Sequence, residues 1–523
     1  MRAPMRWTSI VWLLAACTAK GTDTGTPPDT GTQPDTGTKP DTGATVDTEA
    51  DSAVASDDTA ADTAADTAAD TGTTAPPAPF EPQVRRLLGD DRGDSTGSSV
   101  AGVGDVDGDG LADIVIGAAN QDTISASQGG VAYLVSGAAL PASGEDVVLS
   151  EVGIAWYGDS VVGSAGATAS ATGDLNGDGF ADMLIGAPGA SVNAAMNGAV
   201  HVIFGGSALT GGALEGGEGV VTFYEDENYQ AAGTAVAGVG DVFGDGGASL
   251  LVGSPYTGSN SAGATYLIVG EGLEALRGEL VSLDEARLVI RGASGRFSGA
   301  ALAAAGDVDG DGLDDMLIGA PGRVGHSKGG AACLITGATA AAAGESMSLG
   351  SSDACLYGEG ELDETGSSVV GVGDLDEDGY ADLGIIASPD GVEFMGELAV
   401  FSGATAEGTL SSGDALLRVS GEEGLGIGPA SRGIDMDGDG ETELGVLGVP
   451  LEFRGSYDAV YLVPADSRGL HLLSDVGRVW QLDDAVTVAS IAGGDFDSDG
   501  VDELLLGAPG DGDGAVWLVD WQP

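Results

Sequence analysis

Six stretches of this 523-residue chain carry acidic side chains at a spacing suited to a hard cation. In the first, DVDGDGLAD, Asp105, Asp107, Asp109 and Asp113 take positions 1, 3, 5 and 9, with Leu111 at position 7. The same offsets return with Asp174, Asn176, Asp178, Phe180 and Asp182, and again with Asp307, Asp309, Asp311, Leu313 and Asp315. They recur with Asp374, Asp376, Asp378, Tyr380 and Asp382; with Asp435, Asp437, Asp439, Glu441 and Glu443; and with Asp495, Asp497, Asp499, Val501 and Glu503. Calcium takes six to eight oxygens at about 2.3–2.6 Å, from carboxylates and backbone carbonyls. Here positions 1, 3, 5 and 9 would supply side chains and position 7 its carbonyl. Gly110, Gly179, Gly312, Gly379, Gly440 and Gly500 stand at position 6, where the backbone must reverse sharply, and glycine does so without steric cost.

An isolated Asp/Gly segment is an ordinary turn, but six copies at matching offsets point to metal loops. An EF-hand would carry Glu at position 12 and run into a helix. Position 12 is Ile116, Ile185 or Ile318 within an apolar run, so these loops feed strands. A seventh copy, Asp241–Ser249, has Phe243 and Ser249 where acids belong, and is expected to stay empty. About six calcium sites remain.

The elements that position these loops form a repeat. First positions fall at 105, 174, 241, 307, 374, 435 and 495, spacings of 60 to 69 residues. Each unit has a small-residue strand, the loop, an apolar strand, then an alternating strand such as GVAYLVSG or GAVHVIFG, and a looser fourth strand. Alternation between Gly-rich turns marks antiparallel strands. Four strands in each of seven units predict an all-β, seven-bladed β-propeller over 81–523; β-solenoids, the structural rival, use far shorter repeats. The chain stops just after the third strand of unit seven, and Arg85–Leu88 precede the first loop like a fourth strand without a blade. They are expected to complete blade 7 and close the ring.

The unit resembles the FG-GAP repeat of the integrin α-subunit head, including Gly186-Ala187-Pro188, Gly319-Ala320-Pro321 and Gly507-Ala508-Pro509 after the loops. The resemblance implies a propeller with calcium in loops on one face and a role in adhesion or ligand recognition. The Phe-Gly half is mostly missing, with Phe297-Ser298 as a remnant, and the integrin leg domains and membrane span have no counterpart. Heterodimer formation therefore does not transfer, and a monomer is expected.

Residues 1–17 carry Arg2 and Arg6, an apolar run from Trp7 to Ala16, and Cys17. The run is too short to span a bilayer as a helix and is built like an export signal. Leu14-Ala15-Ala16-Cys17 resembles the lipobox of bacterial lipoproteins, which implies lipidation of Cys17 and an outer-membrane or cell-surface location; a plain secretory signal is the alternative. Residues 18–80, rich in Thr, Asp, Gly, Pro and Ala, cannot bury a core and read as a disordered acidic spacer. A formal charge of −64 with 18 Lys+Arg argues against nucleic-acid binding.

Cys333 and Cys355 fall on adjacent strands of blade 4, where an exported protein would form a disulfide; two buried thiols are the alternative. Arg92-Gly93-Asp94 spells the tripeptide that animal integrins bind, a match short enough to arise by chance. His201, His326 and His471 lie in different blades, and no nucleophile elbow, phosphate loop or zinc spacing is present. The loops account for the paired acids, so no glycosidase pair stands out.

Three functions stay open: a surface adhesin binding an extracellular protein or glycan, a structural envelope protein, and a polysaccharide lyase or hydrolase on a propeller scaffold. The first is favoured and no catalyst is expected, although fold alone does not choose. If the loops load as read, Asp307→Ala lowers the melting temperature in calcium and Asp241→Ala changes it little. Equal effects would refute an empty blade 3.

Overall fold

The repeats fold as seven antiparallel sheets of four strands, six of them extended by a short fifth. The computed structural model describes residues 83–520 except 323–328, 359–363, 388–395, 422–424, 437, 439–441, 451–458, 465–466, 477, 483–487 and 511–512. Blade 1 is typical: Thr96–Gly104 innermost, then Asp113–Ala118, Val131–Val135 and Ile154–Tyr157 outermost. Each innermost strand neighbours those of the blades before and after it, and that of blade 7 neighbours blade 1, so the ring closes. The architecture is the seven-bladed β-propeller that the repeat arithmetic predicts.

Small residues fill the innermost strands because seven of them crowd the axis. A Cβ on Gly238 would sit 2.2 Å from the Ala171 carbonyl oxygen, and one on Gly371 2.2 Å from that of Ala304. The second strands are continuous apolar runs, buried throughout in blades 1, 2 and 4, because both faces of each sheet pack on neighbouring sheets. The core therefore lies in layers between blades. One layer joins Val115, Leu134 and Trp156 of blade 1 to Met183, Ile185 and Leu214 of blade 2.

The two halves of the repeat motif meet across these layers. A Cβ on Gly117, at the end of a second strand, would lie 1.8 Å from the carbonyl oxygen of Gly166 in the next blade. Gly186 and Gly233, Gly253 and Gly299, and Gly319 and Gly366 approach in the same way. Gly97, Gly166, Gly233, Gly299 and Gly366 all take φ of +80 to +87°, a left-handed turn where glycine is unstrained. The Gly of the Phe-Gly half is thus kept in five blades. Its aromatic partner is replaced by buried Thr96, Ala165, Ala232, Ser298 or Thr365.

The closing strand, Gln83–Leu88, pairs antiparallel with Ala515–Asp520, Leu88 opposite Ala515 and Gln83 opposite Asp520, as expected. The repeat pattern gave no sign of a further feature: among the described residues, each outer strand but one pairs in parallel with a short segment of the next blade. Gly212–Ala213 covers blade 1, Leu280–Ser282 blade 2, Ser346–Ser348 blade 3, Gly408–Leu410 blade 4, Gly469–Leu472 blade 5 and Asp146–Val148 blade 7. These segments satisfy backbone groups that an open sheet edge would expose. Cys333 and Cys355 lie directly opposite one another in blade 4, their sulfurs bonded at 2.08 Å.

His201, on the third strand of blade 2, is fully buried. The Thr222 hydroxyl donates to the Leu214 carbonyl at 3.1 Å, so the His201 contact at 3.0 Å must be donated by Nδ1–H. Nε2 is then a buried acceptor with no partner. Burial drives the imidazole pKa from 6.5 down to about 3. Between those values the unfolded chain binds the proton and the folded one does not, so this residue's contribution to stability is lost as pH falls below about 6.5. The melting temperature of the wild type should therefore drop relative to that of His201→Leu between pH 7 and pH 5, with the two parallel above pH 7. A constant offset across the range would refute a depressed pKa.

Candidate metal centres

Each acidic loop joins the first strand of a blade to the second, and its side chains first build the loop itself. In blade 1, Asp105 Oδ2 accepts from Gly110 N at 3.0 Å and Oδ1 from Gly108 N at 2.6 Å. Asp107 accepts from Asp109 N at 3.1 Å, and Asp109 from Leu111 N at 2.8 Å. This ladder turns the chain around the acids and recurs in blades 2, 4, 5 and 7. Position 4 needs left-handed backbone as well as position 6: Gly108 lies at φ +82° and Gly110 at +90°. Blades 5 and 7 have Glu377 and Ser498 at position 4, at +60° and +59°, a strained conformation for residues with a Cβ. Sequence reasoning singled out only position 6; the Gly at position 4 of most copies was the missed signal.

The position-9 aspartates of blades 1, 2, 4 and 5 are fully buried. Asp113 accepts from Val106 N at 2.8 Å and from Gly137 N, just beyond the third strand, at 2.9 Å. Asp182 joins Leu175 N to Gly205 N, Asp315 joins Val308 N to Gly337 N, and Asp382 joins Leu375 N to Gly403 N, all within 3.0 Å. Burial raises these carboxyl pKa values to about 6 for Asp113, Asp182 and Asp382 and about 7 for Asp315, although the paired N–H groups pull the other way. The loop carboxylates at positions 3 and 5 push them up further. The donor set holds more negative charge than the chain neutralises.

That chemistry fits a divalent cation in several blades. Ligand atoms of Asp105, Asp107 and Asp113 converge within 4.8 Å, as do those of Asp307, Asp309 and Asp311, and of Asp374, Asp376 and Asp382. In blade 4, Asp307 Oδ1 is buried and accepts no hydrogen bond. In blade 2, Asp174, Asn176 and Asp182 keep the same loop hydrogen bonds, the Asn176 amide oxygen accepting from Asp178 N at 3.0 Å. Leu111, Phe180, Leu313 and Tyr380 stand at position 7 of these loops, where a backbone carbonyl would complete the shell. In blade 6, Asp437, Asp439 and Glu441 lie outside the described residues, which leaves Asp435 and Glu443.

The residues of blade 3 do not fit a metal. Phe243 lies beneath the Arg287 guanidinium, 5.0 Å from the ring centroid, and the buried Ser249 hydroxyl has no partner. Gly270 N, which would meet a position-9 acid, instead donates to the Ala248 carbonyl at 2.9 Å. In blade 7, Asp495, Asp497 and Glu503 also converge within 4.8 Å, but the Arg85 guanidinium already sits on two of them.

Other candidates are not assembled into a site. Asp94 is buried and accepts from Asp91 N at 3.2 Å, whereas Arg92 points to solvent and pairs with Asp513 at 3.2 Å, so the tripeptide is not displayed as a unit. His201 is an inward, neutral core residue, His471 is at the surface, and His326 lies outside the described residues.

The fold and its loops define an FG-GAP repeat β-propeller. The FG-GAP repeat profile matches residues 96–135, 166–203, 298–332 and 487–519, in blades 1, 2, 4 and 7. Among curated proteins, integrin alpha-V of Gallus gallus is 30% identical over 232 residues, 43% of this chain and 20% of its own length. Integrin alpha pat-2 of Caenorhabditis elegans is 30% identical over 254 residues, 46% of this chain and 19% of its own. Integrin alpha-PS2 of Drosophila melanogaster is 32% identical over 152 residues, 29% and 11% respectively. The chain spans a fifth or less of the length of these relatives.

The double role of the loops separates two kinds of acid. Asp113→Ala strands two buried N–H groups and should cost on the order of 3 kcal/mol even in chelator. Asp107→Asn keeps its hydrogen bond to Asp109 N and should lower stability only when calcium is present. Chemical denaturation with and without chelator separates the two; equal losses in chelator would refute the division.

Proposed function

We propose that the protein is a calcium-stabilised recognition module of the cell surface. It is exported, carried at the outer membrane or cell surface by a lipid on Cys17, and held away from the bilayer by residues 18–80. Its propeller binds an extracellular protein or glycan without catalysing a reaction. The observation that carries the calcium reading is the repeated carboxylate cage, with Asp307 Oδ1 left unpartnered inside it. The cation's role in these blades is structural. It neutralises the loops and stiffens each turn, coupling metal loading to folding.

Recognition falls to the opposite ends of the strands, where the second-to-third and fourth-to-first connections lie. Ile124, Val161 and Tyr229 are exposed on these connections in blades 1 to 3. Beside them Asp90, Asp91, Asp122 and Asp513 line an acidic depression of about 550 Å³. Apolar groups next to carboxylates that outnumber the one lining arginine, Arg92, suit a protein ligand that presents basic side chains. Similarity to integrin α-subunits supports adhesion over the other readings. No helix among the described residues is long and apolar enough to cross a membrane.

The test is binding of the full-length protein to an array of matrix proteins and glycans, once in millimolar calcium and once in chelator. Calcium-dependent capture of one ligand class is expected. No capture in either condition, with the fold intact in calcium, would favour a structural envelope protein.

A further inference from the structure

In blade 7 the position-9 acid is Glu503, one methylene longer than the Asp of blades 1, 2, 4 and 5. Its Oε2 keeps the usual bond from the position-2 amide, Phe496 N, at 2.8 Å. Its Oε1 accepts from Arg85 Nη2 at 3.1 Å, where the shorter acids take a glycine N–H. The same nitrogen lies 3.0 Å from Asp497 Oδ2, at position 3, and 2.5 Å from Asp520 Oδ1. Arg85 is only 7% exposed. A guanidinium does not lose its proton in a protein, so once buried it must be held by carboxylates.

The register around the ring shows that this is a substitution at one defined place. Arg85 is paired through the third strand with position 11 of its loop. The equivalent residues are apolar where position 9 is Asp: Ile154, Val221, Ala354 and Leu417. Blade 3, with Ser249 at position 9, has Leu288 there. An arginine appears only where position 9 is Glu: Arg85 with Glu503, and in blade 6, by register, Arg478 with Glu443.

We propose that in blade 7 the Arg85 guanidinium takes the place of the metal ion, so that loop 495–503 carries no calcium and the ring is latched by an internal cation. A calcium ion there would have to take Asp497 and Glu503 from Arg85, leaving the buried guanidinium with Asp520 alone and next to two further positive charges. The acids at blade 7 are therefore committed to holding the first strand of the fold onto the last. The ring stays closed when calcium is withdrawn, while the loops of blades 1, 2, 4 and 5 loosen. This rests on the reading that those four loops bind calcium.

Equilibrium dialysis of calcium against full-length protein tests both levels. Asp105→Asn should lower the number of bound ions by one, and Asp495→Asn, which leaves every Arg85 contact in place, should lower it by none. A loss of one ion in Asp495→Asn overturns the proposal. No loss in Asp105→Asn overturns the parent reading of the loops instead. Hydrogen exchange gives a readout that needs no bound metal: in chelator, amides of 83–88 and 515–520 should stay protected while loop 105–113 gains exchange. Equal loss of protection at both places overturns the latch.

Discussion

In blades 1, 2, 4 and 5 the buried carboxylate at position 9 is the interaction on which the rest of the blade depends. With one side chain it fixes the start of the acidic loop, through the position-2 amide, and the exit of the third strand, through a glycine amide. The position-2 side chain, held inward by this bond, packs against the equivalent glycine of the next blade, as Leu175 does beneath Gly270. Inter-blade backbone bonds follow, including Ala181 N to the Asp105 carbonyl and Gly206 N to that of Val106. Loop shape, strand order and blade-to-blade packing therefore share one charged group. A charge fully out of water is costly unless it is compensated, and two N–H groups compensate it only in part.

Each blade solves that remaining electrostatic problem within the same frame. Blades 1, 2, 4 and 5 gather further acids around the buried one, an arrangement that is self-repelling until a cation enters. Blade 3 drops the acids at positions 3 and 9 and sets Phe243 under a guanidinium. Blade 7 keeps the acids and brings in a guanidinium from the closing strand. With a formal charge of −64, the chain has strong reason to place its few arginines where neutralisation is worth most.

Much of this was legible in the sequence because it repeats. Period, strand count, loop positions, the pairing of Cys333 with Cys355 and the closing strand near Arg85 all follow from lining the seven units up. What escaped is what does not repeat as a pattern. A two-residue strand such as Gly212–Ala213 has no periodicity to read; it exists only because a neighbouring edge needs covering. Ser498 and Glu377 look unremarkable until their backbone is seen to be left-handed. The partners of Arg85 lie 412 to 435 residues away, and only the closed ring brings them to it.

The closing strand also sets an order of events. Among the described residues Gln83–Leu88 is the first strand, yet its antiparallel partner, Ala515–Asp520, is the last. During synthesis the opening segment can meet Asp146–Val148 early but must wait for its antiparallel partner until residues 515–520 have been made, and contacts of such long sequence separation form slowly. The outer strands repeat this on a smaller scale, since five of them are covered only once the following blade has been made. A partly made ring thus exposes strand edges at both ends, and such edges promote aggregation of incomplete chains. The circular architecture that covers most edges among the described strands makes its own assembly dependent on the arrival of residues 515–520.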